Sequence, residues 1–561
     1  MIDDSVSFVD ALRRRVVGLR PARSCIALST ALLLAPTPAC AQAGNEAPTT
    51  KGDVLRAIQE KSVRNFDVDE QRVYTFGWHG LSGRFSTHQT HSNRPVPAIL
   101  FGAKASLDTI SGKNSPYRDA QKLAGIFGAT PPRTVDPAQV YGDQTQLHSL
   151  LLNAADAGAK RIVVLLMDGA DWNAYAAAAI ATKRAFDPQG YAHGLEFFQY
   201  VPPDHSSSHP LRSIASVITS PLGQGIAPGF DIALGGVFPW SPQDATYLAG
   251  NMKVGFDSKT AHAVTDSASS ATSISTGRKT LNGRIGMDRA GNPIEPLGRV
   301  LQQRGYLVAT VTDVPFGHAS PGSFYASVPD RGQYEEIGRQ MLGLSAYPGI
   351  DVVLGYGYGF VRSDKTRYLT DADLARVQRD GTYEVVTSAS RDPVAELVRA
   401  AHRVVAARER GITKRSRLFG FFGDQALDHA PYRTADSKYD PTLELSAVGL
   451  PAPGETYDEG TLMRMPTLQA MTLAAIQVID AEPERPALLF VEAGLVDWGL
   501  HANNLDNAIG EIESAEQAFC LLRDWIVKTV GWEDAVLLVT SDHGHLLQVD
   551  FAALKQAVDR G

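Results

Sequence analysis

Acidic, imidazole and hydroxyl side chains recur just beyond apolar runs that do not explain them. Asp168 follows Ile162 to Met167, and His318 and Ser320 follow Tyr306 to Val311. Glu492, Asp497 and His501 follow Ala487 to Val491, while Asp542 and His543 follow Ala535 to Val539. Taken singly, each has a plainer explanation. An Asp-Gly after a strand is usually a turn, and Asp-x-x-x-His at one-turn spacing is usually a surface pair. Taken together, carboxylates and imidazoles at strand ends suit hard or borderline divalent metals such as magnesium and zinc.

A second pattern is the run of small residues from Thr265 through Asp266, Ser267 and Ala268 to Gly277. Ser267 sits where a helix can begin, and its small neighbours let a ligand approach the backbone. The N–H groups and dipole of a helix start favour an anion such as phosphate. A nearby metal would lower the serine pKa and make it a nucleophile at moderate pH. Without such a metal, the run reads as a Ser/Ala-rich helix start capped by Asp266 or Ser267.

The elements that must position these groups are legible from the apolar runs. Each run is continuous rather than alternating, as expected of a strand buried on both faces. Helical patterns, such as Pro296 to Arg304 and Met465 to Ile479, lie between them. The expected fold is α/β: a three-layer sandwich with a large, mostly parallel central sheet flanked by helices. In such sheets, functional groups gather beyond the carboxyl ends of the strands.

The order and wording of these motifs resemble the alkaline phosphatase family over roughly residues 160 to 550. The resemblance runs through Asp168-Gly169, Thr265 to Thr272, and His318-Ala319-Ser320-Pro321 with Arg331 behind it. It continues through Val491 to Gly494, Asp497, His501 and Thr540 to His543. Trp498 and the Asp-Trp-x-x-His pattern resemble a bacterial subset. The resemblance implies Ser267 as the nucleophile that becomes phosphoserine. It implies two Zn2+ and one Mg2+. Asp168, Asp542 and His543 would hold one zinc, Asp497 and His501 would belong to the other, and Asp168, Ser320 and Glu492 would hold magnesium with His318 beside it. It also implies Arg331 as the clamp on two phosphate oxygens, oriented by Asp266.

The family supplies a further histidine to the Asp497/His501 zinc from well beyond the Asp-His motif, whereas this sequence continues for 18 residues after His543. His545 is not used that way in the family's pattern, and His205 and His209 precede the nucleophile. The expected organisation is therefore a signal peptide over 1–43 and a linker with an N-terminal extension of unknown role over 44–160. A C-terminally incomplete alkaline phosphatase-like catalytic domain follows over 161–561. Within the extension, His79 and His88 to His91 read as solvated loop histidines.

Arg13, Arg14, Arg15, Arg20 and Arg23, the apolar run Ile26 to Ala35 and the Ala41-Gln42-Ala43 site suggest an exported chain cleaved after Ala43. It would be periplasmic or secreted, by Sec or twin-arginine export, with no membrane attachment after cleavage. Charged residues make up 20% of the 561 and the formal net charge is −8, which implies no basic surface for nucleic acid. The expected partners are small phosphomonoesters and, by family analogy, a second copy of the chain. A sulfatase would carry a Cys/Ser-x-Pro-x-Arg context, absent around Ser267. The alternatives are a phosphodiesterase of the same superfamily and a catalytically weak phosphate- or metal-binding protein lacking one histidine ligand.

Overall fold

The runs Arg161–Met167, Leu307–Pro315, Ala487–Ala493 and Ala535–Thr540 are strands, and every residue in each is buried. The computed structural model describes residues 55–56, 91–92, 95–130, 134–182, 194–203, 210–220, 265–440, 442–445, 451–453, 455–502, 504–545, 547, 549 and 551–560. The expected signal peptide and His79, His88, His205 and His209 lie outside them.

In chain order the strands are β1 His91–Ser92, β2 Val96–Phe101, β3 Gly142–Asp143, β4 Arg161–Met167, β5 Arg212–Ile218, β6 Leu307–Pro315 and β7 Val352–Tyr356. They continue as β8 Tyr383–Thr387, β9 Arg417–Phe422, β10 Leu443–Leu445, β11 Pro451–Pro453, β12 Ala487–Ala493, β13 Ala535–Thr540 and β14 Gly544–His545. The main sheet has ten strands in the order β3-β5-β2-β13-β4-β12-β6-β7-β9-β8. Its pairs are parallel except those made by β2, which runs antiparallel to both β13 and β5. The segment 44–160, whose role the sequence left open, thus contributes β2 and β3 to the sheet.

Helices cover both faces. They include α1 Thr145–Asp156, α2 Trp172–Ala181, α3 Ser267–Thr276, α4 Leu468–Asp480, α5 Leu495–His501 and α6 Leu505–Thr529. Ile162, Val164 and Leu166 of β4 join one apolar cluster with Leu147, Leu150 and Leu151 of α1 and Ala268 and Ile274 of α3. Their neighbours Val163, Leu165 and Met167 are also buried and, by the alternation of a strand, face the opposite layer. There α4 and α6 pack against each other and onto β12. Each buried Val, Leu or Ile contributes about 1.5–3 kcal/mol, and this holds the strand ends in register.

The central register sets the site. Ala487 to Ala493 of β12 pair with Arg161 to Met167 of β4, and β13 pairs with β4 through Thr540 and Leu166. Asp168, Asp542 and the α5 helix therefore emerge together at the carboxyl end of the sheet. Beyond β13 the chain turns into β14, which pairs antiparallel with β1 and sets His91 opposite His545.

Candidate metal and phosphate site

Helix α3 starts at Ser267 because Asp266, in an extended conformation, caps it by accepting from the Ser269 N–H. It ends at Gly277, whose φ of 69° suits a residue without a Cβ. All ten helical residues are buried, and their small size lets α3 lie against α1 and the short helix Ala319–Ser323. The buried hydroxyls are satisfied locally: Ser270, Ser273 and Thr276 donate to the carbonyls of Asp266, Ser269 and Thr272. Ser267 stands at the positive end of the helix.

Its Oγ lies 3.4 Å from Asp168 Oδ1 and 3.3 Å from His543 Nε2. His543 Nε2 is 3.3 Å from Asp168 Oδ1 and 3.7 Å from Asp542 Oδ2. Asp168, Asp542 and His543 form one group able to hold a metal ion. Around them, Asp542 accepts from the Gly169 and His543 N–H groups, and its Oδ2 lies 2.8 Å from Ser270 Oγ. Ser320 Oγ donates to Asp168 Oδ2 at 3.2 Å.

Glu492 ends β12 beside Thr312 of β6, whose hydroxyl donates to Oε2. Glu492 Oε1 is buried without a hydrogen-bond partner. An orphaned carboxylate oxygen is costly unless a cation takes the place of the missing donor. His318 is 9% exposed and its ring stacks on Tyr334 and meets Trp498 edge-on.

Asp497 and His501 share one turn of α5, with His501 Nε2 3.3 Å from Asp497 Oδ2. Two further histidines join them. His545 Nε2 is 2.7 Å from Asp497 Oδ1, and His91 Nε2 is 3.0 Å from His501 Nε2. A second metal-capable group comprises His91, Asp497, His543 and His545, all buried. The expectation that His91 is a solvated loop histidine is overturned: pairing with β14 leaves it only 2% exposed. The apolar run Val96 to Phe101 hinted at a strand just beyond His91, but Pro97 within it argued against an inner one.

The electrostatics follow the same division. Burial, then Asp497 and Glu492, push Asp168 well above the usual carboxylate range. Burial, with Asp168 adding to it, pushes Asp542 up to about 8, and burial lifts Glu492 to about 8. Burial also opposes ionisation of Asp497, but His501, His545 and His91 outweigh it and hold this carboxyl well below its ordinary value. Carboxylates facing one another take up protons, and carboxylates facing imidazoles do not; bound cations would replace those protons.

Arg331 is held by the helix cap and acts electrostatically on Asp168. Its Nη1 donates to Asp266 Oδ2 at 3.1 Å, and that oxygen also accepts from the Gly283 N–H. Burial raises the cost of charging Asp266, yet Arg331 and the Ser269 donors more than offset it and lower the pKa. The cap of α3 thereby also fixes the arginine.

An open α/β sheet that gathers buried carboxylates, imidazoles and a helix-starting serine at its strand ends defines a protein with a site suited to divalent cations. The family profile described as alkaline phosphatase matches residues 242–558, more than half of the sequence, and the chain belongs to that family. Alkaline phosphatase 4 of Bacillus subtilis (strain 168) is 24% identical over 282 residues, covering 50% of this chain and 49% of that protein. Streptomycin-6-phosphate phosphatase of Streptomyces griseus is 25% identical over 367 residues, covering 62% of this chain and 76% of that protein. The solved Thermus thermophilus alkaline phosphatase aligns at 23% identity and a TM-score of 0.45, over 72% of this chain and 64% of that one. The chain spans about half the length of the Bacillus relatives. Among the described residues, no helix is long and apolar enough to cross a membrane.

Proposed function

We propose that this chain is a metal-dependent phosphomonoester hydrolase that releases inorganic phosphate through a phosphoserine at Ser267. The observation that carries the reading is the placement of Ser267 Oγ at the head of α3, within 3.4 Å of Asp168 and 3.3 Å of His543.

The donor set fits the group expected there. Asp168, Asp542 and His543 would hold one zinc ion, and Asp497 and His501 would belong to the other. Asp168, Ser320 and Glu492, with its orphaned Oε1, would hold magnesium with His318 beside it. Bound cations would lower the pKa of the serine hydroxyl and neutralise charge developing on the phosphoryl oxygens. The chain's own residues do the rest. Ser267 Oγ attacks phosphorus and the ester oxygen leaves from the opposite side; water then attacks the phosphoserine, releasing phosphate and regenerating the hydroxyl. The α3 dipole favours the anion at the point of attack. Asp266 holds Arg331, whose planar fork suits two oxygens of a terminal phosphate. A dianionic monoester brings two negative charges to this fork, whereas a diester brings one over its two non-bridging oxygens.

The test compares zinc- and magnesium-loaded protein on p-nitrophenyl phosphate and on bis(p-nitrophenyl) phosphate. Faster turnover of the monoester with release of inorganic phosphate is the expected result. Preference for the diester would replace the reading with a phosphodiesterase.

A further inference from the structure

Asp497 and His501 supply only two donors, whereas zinc in proteins takes three or four. We propose that His91, delivered by the β1–β14 pairing, is a direct metal ligand that completes the Asp497/His501 site. This rests on the metal-dependent reading above.

Four observations carry it. His91 Nε2 faces His501 Nε2 at 3.0 Å and Asp497 Oδ1 at 3.7 Å, while His501 Nε2 is 3.3 Å from Asp497 Oδ2. Ligand atoms about 2 Å from a tetrahedral zinc are about 3.3 Å from one another, so these separations suit one shared cation. The tautomer is fixed next. His91 Nδ1 lies 2.9 Å from the Thr265 carbonyl oxygen, which can only accept, so Nδ1 carries the proton and the neutral ring turns its Nε2 lone pair inward. Metal-bound histidines are oriented by this kind of outer hydrogen bond.

His543 repeats the device. Its Nδ1 faces the Gly544 carbonyl at 3.2 Å, which leaves its Nε2 lone pair toward Asp168 and Ser267. The His91 and His543 ring centroids are 4.0 Å apart, so the imidazoles of the two groups crowd together. Lone pairs of imidazoles and carboxylates converging in a buried space repel one another until a cation sits among them.

His545, although nearer to Asp497, has a different part. At 2.7 Å, its Nε2–H donates a hydrogen bond to Asp497 Oδ1 and so turns the other carboxylate oxygen toward His501. It is a positioning residue. The Thr265 contact also ties His91 to the chain two residues before Ser267, linking the metal ligand to the segment that starts α3.

The experiment titrates zinc into chelator-stripped full-length protein and counts bound metal by atomic emission. Wild type is expected to retain two zinc equivalents. His91→Ala should hold the Asp168/Asp542/His543 equivalent and bind the other at least about tenfold more weakly, since losses in the outer shell alone cost 10–100-fold. His91→Asp, which keeps a donor, should recover part of that loss. Unchanged zinc content and affinity in a folded His91→Ala overturns the proposal while leaving the hydrolase reading intact; no zinc in wild type overturns both. X-ray absorption on zinc-loaded protein needs no His91 variant. Imidazole scattering from three histidines over the two ions, retained in His545→Ala, supports His91 as a ligand, and scattering from two refutes it.

Discussion

His543 Nε2 lies 3.3 Å from the Ser267 hydroxyl, although 276 positions separate the two in sequence. The first follows β13 and the second starts α3, so the contact exists only when the sheet has closed and α3 has docked upon it. The hydroxyl is thus held where a helix dipole and a metal-capable group act on the same oxygen, which gives a serine with an ordinary intrinsic pKa a route to nucleophilicity.

Under the proposed phosphate-clamp reading, Arg331 and Asp266 distinguish substrate binding from helix capping. Arg331→Ala should raise KM for a monoester and lower kcat/KM by about 10–100-fold, the equivalent of losing charge-assisted hydrogen bonds of about 1.5–3 kcal/mol. Its melting temperature should fall somewhat, since Asp266 loses the partner that offsets its burial. Asp266→Ala should show the same kinetic defect and also lose about 1 kcal/mol of stability, because it removes the α3 cap. Steady-state kinetics beside thermal melts distinguish them.

Gly169 adopts a φ of 73°, and a Cβ there would fall 2.7 Å from His545 Nε2 and 2.8 Å from Asp497 Oδ1. Gly169→Ala is expected to cost about 1–2 kcal/mol of backbone strain. It should also push Asp497 out of place, weakening zinc binding at the Asp497/His501 site. A variant with full zinc content and wild-type melting would refute this geometry.

Metal removal should make the fold sensitive to alkali. Burial lifts Glu492 and Asp542 to about 8, from ordinary values of 4.5 and 3.8. Between about pH 4 and 8 the folded metal-free chain therefore holds more protons than the unfolded one, so this stabilisation is present at low pH and lost as pH rises through 8. Melting of chelator-treated protein should fall from pH 6 to pH 9, and added zinc and magnesium should abolish the fall. A metal-free melting temperature that does not decline over that range would contradict the buried-carboxylate cluster.

The strands β4, β6, β12 and β13 were legible because burial on both faces demands an unbroken apolar run, and the charged residues at their ends broke a strong pattern. The apolar runs put Asp168, Asp542 and His543 at strand ends, and only the family resemblance grouped them about one ion. His91 could not. Its position depends on the two-residue pairing of β1 with β14, too short to leave a periodic signal, and on β2, where Pro97 argues against an inner strand. The structure accommodates that proline because the pairing with β13 reaches only to Ala98, so Pro97 is in register with Ser216 of β5 alone. His545 was visible in sequence, but a hydrogen bond to Asp497 and a ligand bond to a metal are distinguished only by distance.

Ser267 as the nucleophile of a phosphomonoesterase can be checked by hydrolysis of p-nitrophenyl phosphate by zinc- and magnesium-loaded protein, beside Ser267→Ala. Turnover at alkaline pH is expected in the wild type and a loss of at least about a thousandfold in the variant, with the zinc content of both unchanged. Equal turnover in the folded variant, or none in fully metal-loaded wild type, would contradict it.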